Sequence, residues 1–204
     1  MRYVNVPDST SLSLTGNFSL VAWINVPTIQ QQGIMEKYDS PGLNGYALRL
    51  QSNGVLAGYT MDANSFTGLI GTGVLSTNVW HLTALTYDGA NLRLYVDGVL
   101  DKTGAATRNP GNGATSLKLG ARGDDALTVL KGLLAEPRLY GRVLSDTEVQ
   151  TLWAGGEPSA ANLISLWPLT EGTGTSVADS VGANGGSLQG GAGWSTNIPA
   201  QICP

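Results

Sequence analysis

Short apolar segments with alternating side chains run through the chain, and most of them end at a turn signal. The segment Phe18 to Val26 is rich in β-branched and aromatic residues, and it ends at Pro27, which cannot donate a hydrogen bond to a sheet. In Asn91 to Val96, three aliphatic side chains alternate with Arg93 and Tyr95. This two-residue period predicts a half-buried antiparallel strand with one face in the core and one open face.

Pairs of turn-forming residues separate successive apolar segments. Asn-Gly and Asp-Gly supply the positive φ angles of tight hairpins, and the spacing between such pairs here is that of short strands. Segments of this kind, repeated at this spacing, are typical of a sandwich. The pairs are Asn53-Gly54, Asp88-Gly89 and Asp97-Gly98.

One helix is predicted, over residues 145–154. Ser145 stands at its N-cap with Glu148 three residues later, a capping box, and two glycines follow the helix and stop it. We therefore expect an all-β fold, a two-sheet antiparallel jelly-roll sandwich, with this single short helix on its surface.

The composition agrees with such a fold and narrows the class of partner. Of 204 residues, 28 are glycine and 13% are charged, which is too apolar for a disordered chain and too rich in turn residues for a helical bundle. The formal charge of −4 offers no basic surface for phosphates, so we expect no nucleic-acid partner. No segment approaches the roughly 20 apolar residues that span a bilayer, so we expect no membrane insertion. Cys203 is the only cysteine and excludes an internal disulfide.

Recognisable motifs follow one another from one end of the chain to the other. They are Tyr3-Val4-Asn5-Val6-Pro7, Ala22-Trp23-Ile24, Asn44-Gly45-Tyr46-Ala47-Leu48, Trp80-His81-Leu82, Leu94-Tyr95-Val96-Asp97-Gly98 and Glu136-Pro137-Arg138-Leu139-Tyr140. In this order they resemble the laminin-G-like domains of the concanavalin A-like lectin and glucanase superfamily, relatives of the pentraxins. The resemblance covers essentially the whole chain and implies a jelly roll.

The last part of the chain departs from the order that is usual in this family. Leu163 to Ser180 resembles a stretch that family members usually carry before the opening motif. We predict one domain over residues 1–204, in which residues 160–204 supply edge strands. Two explanations compete, a circularly permuted roll and a truncated second copy. We favour permutation because so short a tail cannot bury its own core, whereas the termini of a domain often lie close together.

The sequence offers no set of catalytic residues. Glycoside hydrolases of the superfamily need two carboxylates that face the bond to be cleaved, and no predicted strand carries such a pair. His81 is the only histidine, and the resemblance implies a structural role for it. We therefore expect neither a Ser-His-Asp triad nor a zinc site, and no enzyme activity.

Calcium is the one cofactor for which the resemblance implies ligands. Many relatives bind it, and loops rich in oxygen donors are what the ion requires. The candidates are Asp179, Asn184 and Glu136. Family members often carry an acidic residue at the position of Ala135, so one potential ligand is lost here. We expect such an ion to be structural.

Side chains on the open face and in loops supply candidates for ligand binding. Exposed aromatic rings can stack on sugars, although each ring could equally cover an edge of the core. The candidates are Tyr38, Tyr59, Phe66, Tyr95 and Arg93.

Two functions from different classes remain. The first is a non-catalytic recognition module that binds glycans or a protein surface, located outside cells or on a virion. The second is a structural decoration protein of a virus particle, such as a bacteriophage, that contacts capsid or tail proteins and can form an oligomer. The second follows from a fold that usually occurs outside cells in a chain that begins without a secretion signal. A glycoside hydrolase is a third and weaker alternative.

Overall fold

Two antiparallel β-sheets form the framework of the computed structural model, which describes residues 2–124 and 128–202. Cys203 therefore lies outside the described residues. The first sheet has eight strands. In spatial order they are β13 (Ser176–Val177), β14 (Gly186–Gln189), β1 (Tyr3–Val6), β10 (Leu117–Leu119), β3 (Gln32–Tyr38), β4 (Gly45–Leu50), β5 (Leu56–Asp62) and β6 (Ser65–Ile70).

The second sheet has six strands and carries the α-helix on its outer face. Its order is β12 (Leu163–Leu166), β11 (Leu133–Tyr140), β2 (Phe18–Asn25), β7 (Trp80–Tyr87), β8 (Asn91–Val96) and β9 (Val99–Ala105). The helix α1 spans Asp146–Trp153, and short 3-10 turns occupy Thr10–Leu12 and Ala200–Ile202. The all-β sandwich with one short helix is confirmed.

The helix begins where the sequence predicts it. The Ser145 hydroxyl accepts a hydrogen bond from the Glu148 backbone N–H, and the Glu148 carboxylate accepts one from the Ser145 N–H, so both arms of the capping box form. Val149 and Leu152 point from the helix into the protein. No helix in the described ranges is long and apolar enough to cross a membrane.

The apolar core lies in two layers. The main layer fills the space between the sheets, and a second layer lies between the six-stranded sheet and α1. Strand β2 serves both, because Leu20 and Ile24 face the main layer while Val21 and Trp23 face the helix. A strand buried on both faces explains why this segment is apolar throughout rather than alternating.

The C-terminal part of the chain contributes to both sheets. Strand β12 forms an edge of the six-stranded sheet beside β11, and β14 pairs with β1 through Val4 and Leu188. The strand predicted at Leu163 to Leu169 ends at Leu166, before Pro168 and before Leu169, whose φ of 59° leaves the extended region. Circular permutation as the origin of this order stays a prediction.

Candidate functional site

Aromatic and charged side chains gather on the outer face of the eight-stranded sheet. Strand pairing places Tyr38 and Phe66 in one row across β3 to β6 and places Glu36 and Tyr59 in the next row, with Arg49 on the same side of β4. We call these five residues the aromatic face. Three of the predicted ligand-binding residues, Tyr38, Tyr59 and Phe66, therefore come together.

Small residues between the large ones make room for the rings. A Cβ atom at Gly68 would lie 2.7 Å from the Tyr59 ring, and Ala47 separates Glu36 from Tyr59 in the same row. A larger residue at Gly68 would force the Tyr59 ring away from the sheet. The glycine at position 68 of β6 therefore leaves the space that the Tyr59 ring occupies.

A buried ion pair lies at the centre of the aromatic face. The Arg49 guanidinium donates to both oxygens of the Glu36 carboxylate, over 3.0 and 2.8 Å, and Glu36 is fully buried. Burial raises the pKa of Glu36 to about 7, although the Arg49 charge opposes this shift. The guanidinium carbon also lies 4.8 Å from the centre of the Tyr59 ring, within the range of a cation–π contact.

The chain after β10 folds over one side of the aromatic face. The Gly123 N–H donates to Glu36, and the Arg122 side chain donates to the Tyr38 hydroxyl over 3.2 Å. Tyr38 is therefore only 2% exposed, so its expected place on an exposed surface is wrong. Burial and the neighbouring Glu36 carboxyl raise the pKa of Tyr38 to about 12.

Tyr59 and Phe66 form the part of the aromatic face that solvent reaches. Their ring centres are 5.9 Å apart with an angle of 67° between the planes, an edge-to-face pair. Phe66 is 59% exposed and Tyr59 is half-buried. The Tyr59 hydroxyl accepts a hydrogen bond from the Gln51 side-chain amide over 3.0 Å, which restrains the ring.

The other two predicted ligand-binding residues lie on the opposite side of the molecule. Tyr95 is 1% exposed beneath α1 and its hydroxyl donates to Asp146, so its expected exposure on an open face is wrong. The physical reason is that the helix covers this part of the six-stranded sheet. Arg93 is half-buried and forms an ion pair with Asp88 over 2.7 Å.

The predicted calcium ligands are already bonded within the protein. Asp179 accepts hydrogen bonds from the backbone N–H groups of Leu166, Val181, Gly182 and Asn184. These donors lower the pKa of Asp179, although burial opposes them. The Asn184 side-chain oxygen accepts from the hydroxyls of Ser9 and Ser11.

Glu136, the third candidate, pairs with a cation instead. Its carboxylate lies 2.7 Å from the Arg138 guanidinium. Across residues 2–124 and 128–202, no group of three or more His, Cys, Asp or Glu side chains is arranged to hold a metal ion. The arrangement does not fit a calcium ion, which takes six to eight oxygen ligands. Calcium binding stays a prediction that these side chains do not support.

A Ser-His-Asp chain of hydrogen bonds forms, contrary to the sequence-based expectation. The Ser76 hydroxyl lies 2.9 Å from His81 Nε2, and His81 Nδ1 lies 2.8 Å from the Asp97 carboxylate. Sequence reasoning missed it because Ser76 comes from a loop and Asp97 from a hairpin turn.

The order of these groups is that of a hydrolase triad, but the surroundings differ. Asp97 also accepts the Leu82 N–H, and the Ser76 side chain stands on an exposed loop. A nucleophile needs a bound substrate and a group that stabilises the oxyanion. We therefore interpret this chain of hydrogen bonds as structural, because it connects the loop before β7 to the β8–β9 turn.

The Glu36–Arg49 pair is the central feature that sequence reasoning missed. Both residues interrupt apolar segments, at Ile34-Met35-Glu36 and Ala47-Leu48-Arg49-Leu50. A charged residue inside an otherwise apolar strand needs a partner when it is buried, so two such residues in one sheet are a signal that could have identified the pair.

Comparison with known proteins agrees with this architecture. A family model described as the concanavalin A-like lectin/glucanases superfamily matches residues 1–150, which is most of the chain. The chain belongs to this superfamily. The resemblance found in the sequence is thus confirmed.

Individual relatives are distant from this superfamily member. A solved structure of a candidate carbohydrate-binding protein from Bacteroides ovatus superposes with a TM-score of 0.74 at 20% identity, covering 96% of this chain and 60% of that one. The binding domain of Paraclostridial Mosquitocidal Protein 1 superposes with a TM-score of 0.57 at 16% identity, covering 74% of this chain and 40% of that one. These likenesses show the fold.

One curated protein is similar in sequence. It is the N,N-dimethylformamidase beta subunit of Paracoccus aminophilus, which is 22% identical over 202 residues. The match covers 84% of this chain but only 26% of that subunit. The chain thus corresponds to about a quarter of the subunit's length.

Proposed function

We propose that this protein is a non-catalytic recognition module that binds a glycan on the aromatic face. The observation that carries the proposal is the Tyr59–Phe66 pair, in which a large apolar ring is 59% exposed beside a second ring that is restrained by a hydrogen bond from Gln51. A pyranose ring presents apolar C–H groups on one side, and an exposed aromatic ring can cover them. Gln51 and Tyr59 offer polar groups at the edge of the same surface.

The charges of the aromatic face favour a neutral glycan. Arg49 is paired with Glu36, and Arg122 is paired with Asp124, so both of these guanidinium groups already have a carboxylate partner. An anionic sugar would have to compete with these pairs. The name of the Bacteroides ovatus protein, a candidate carbohydrate-binding protein, supports this class of ligand.

Binding to a glycan array, followed by calorimetry on any glycan retained, tests the proposal. We expect Phe66→Ala to weaken the association by about fivefold or more, because a central aromatic contact carries more than about 1 kcal/mol of binding. Val99→Ala is the control, since Val99 is 67% exposed but lies on the other sheet. Equal affinity of Phe66→Ala and the unchanged protein, or silence across neutral glycans, would overturn the proposal.

A structural role on a virus particle is the second candidate. Edge strands β6 and β9 lie on the same flank, where Asp101 of β9 accepts hydrogen bonds from Thr72 and Gly73 after β6. Val74 and Val99 are 68% and 67% exposed there. Apolar side chains along free strand edges favour assembly with other subunits. Silence on the glycan array together with self-association in solution would favour this role and a place on the virion surface.

A further inference from the structure

A cavity of about 840 Å³ opens at the flank opposite to β6 and β9. It lies between β1, β10 and β14 of the eight-stranded sheet and β11 of the six-stranded sheet, so it extends from the main apolar layer towards solvent. Ligand cavities commonly measure about 300–1,000 Å³. Its apolar walls include Leu119, Leu134, Leu169, Leu188 and Trp194.

The segment after β14 forms the outer wall of this cavity. Trp194 donates its indole N–H to the Gly174 carbonyl, and Asn197 accepts the indole N–H of Trp80, so the segment is attached at two points. Between β14 and these points, Gly191 and Gly193 have open space where a Cβ would be. The wall is thin there, which leaves the cavity accessible.

The charges beside the cavity are not balanced. Arg2 and Lys131 line it and are exposed, and neither has an ion-pair partner among residues 2–124 and 128–202. The one acidic side chain in the lining, Glu136, is paired with Arg138. In a chain of net charge −4, two unpaired cations beside an apolar cavity favour an anionic group at its mouth.

We propose that this cavity binds a free amphiphile that has an unbranched apolar chain and an anionic head, as long-chain carboxylates do. The chain lies against the leucine walls and Trp194, and the head lies near Arg2 and Lys131. The two groups of the ligand thus match the two kinds of surface that the cavity offers. This site is separate from the aromatic face and does not depend on the glycan proposal.

Three probes with the same apolar chain and different heads test the proposal by calorimetry. They are decanoate, decanol and decyltrimethylammonium. We expect decanoate to bind about tenfold more tightly than decanol, as two exposed charge contacts allow, and the cationic probe to bind most weakly. Equal binding of the three probes would overturn the anionic head, and no binding of decanoate would overturn the site.

Variants separate the two parts of the cavity. Arg2→Gln with Lys131→Gln should reduce decanoate affinity to that of decanol, while decanol binding is unchanged. Leu188→Trp should fill the cavity and abolish binding of both. Leu100→Trp is the matched control, because Leu100 is 41% exposed on the opposite flank.

Two further measurements test whether the variants fold and whether the ligand is a free amphiphile or a membrane lipid. A thermal midpoint of Leu188→Trp close to that of Leu100→Trp shows that lost binding reflects a filled cavity. If Leu188→Trp unfolds, the two charge substitutions still decide the proposal. A further experiment uses vesicles that contain phosphatidylglycerol. If the protein sediments with these vesicles and decanoate does not release it, a free amphiphile is not the ligand.

Discussion

The outer faces of the two sheets differ in what covers them. On the six-stranded sheet, α1 covers Trp23 and Tyr95 with Val149 and Leu152, and both aromatic residues are at most 2% exposed. On the eight-stranded sheet, Tyr59 remains half-buried and Phe66 is 59% exposed. An aromatic side chain that points outward from a strand is therefore a ligand-binding candidate only where no other element packs on it.

The two sides of the molecule also differ in the burial and pKa of their glutamate side chains. Glu36 on the eight-stranded sheet is fully buried beneath its neighbours, whereas Glu148 of α1 stays near solvent and pairs with Arg142. Burial raises the pKa of Glu36 to about 7, and the hydrogen bonds from Arg142 hold the pKa of Glu148 at about 2. The same residue type thus responds to pH in opposite ways on the two faces.

The largest expected effect is a difference in the free energy of unfolding between a substitution on the covered face and one on the open face. Trp23 stacks on Trp153 of α1 with ring centres 5.1 Å apart, and Trp23→Ala should lower the free energy of unfolding by about 3–5 kcal/mol because it leaves a cavity beneath the helix. Phe66→Ala should change it by less than about 0.5 kcal/mol. Urea denaturation measures both. Similar losses in the two variants would show that the open face is also part of the packed core.

An intermediate effect comes from the buried pair of the aromatic face. Arg49→Met leaves the Glu36 carboxyl buried without its partner, and at about pH 8 this should lower the free energy of unfolding by about 3 kcal/mol. Adding Glu36→Gln should recover most of the loss, because no buried charge then remains. Arg93→Met removes a half-exposed pair and should cost at most about 1 kcal/mol. A double variant as unstable as Arg49→Met would contradict the explanation.

The pH dependence of the same pair gives a second readout of this prediction. The Glu36 pKa lies at about 7 in the folded protein against 4.5 for an ordinary glutamate, so folding favours the protonated form. Its contribution to stability is fully present below about pH 4.5 and is lost as the pH rises to about 7. In Glu36→Gln this loss should disappear from the pH profile of unfolding.

Much of the fold follows from local sequence signals. The tight hairpin at Asp97-Gly98 forms as predicted, with positive φ at both residues. A hairpin also forms at Asn53-Gly54, but its loop has five residues between Leu50 and Leu56, and of the pair only Gly54 has a positive φ. Strands β3 and β6 were not predicted. Strand β3 carries Glu36 and Lys37 inside a buried segment, and β6 is an edge strand with glycine and exposed side chains. Neither has the apolar alternation on which strand prediction rests.

The candidate site was predicted only in part, for a different reason. Tyr59 and Phe66 lie on the two strands of one hairpin, and Tyr38 joins them through the pairing of β3 to β5 across β4. Sequence alternation tells which side chains point outward, yet it does not tell where α1 or the chain around Gly123 packs. Those tertiary contacts decided that Tyr95 and Tyr38 are buried.

The smallest effect is expected from a substitution at the N-cap of α1, which covers the six-stranded sheet. This substitution leaves the aromatic residues of the sheet unchanged. Ser145→Ala removes one arm of the capping box and should lower the free energy of unfolding by about 1 kcal/mol. Because the Glu148 pKa is lowered to about 2, its contribution is present above about pH 4.5 and is lost as the pH falls to about 2. Ser145→Ala should reduce that loss, since it removes a donor to Glu148.

Acrylamide quenching of tryptophan fluorescence gives a second measurement of the same variant. Quenching should increase in Ser145→Ala as the start of α1 frays and exposes Trp23. Thr147→Ala, in the same turn but outside the capping box, should leave quenching unchanged. Equal quenching in Ser145→Ala and the unchanged protein would show that packing alone holds the helix on this face.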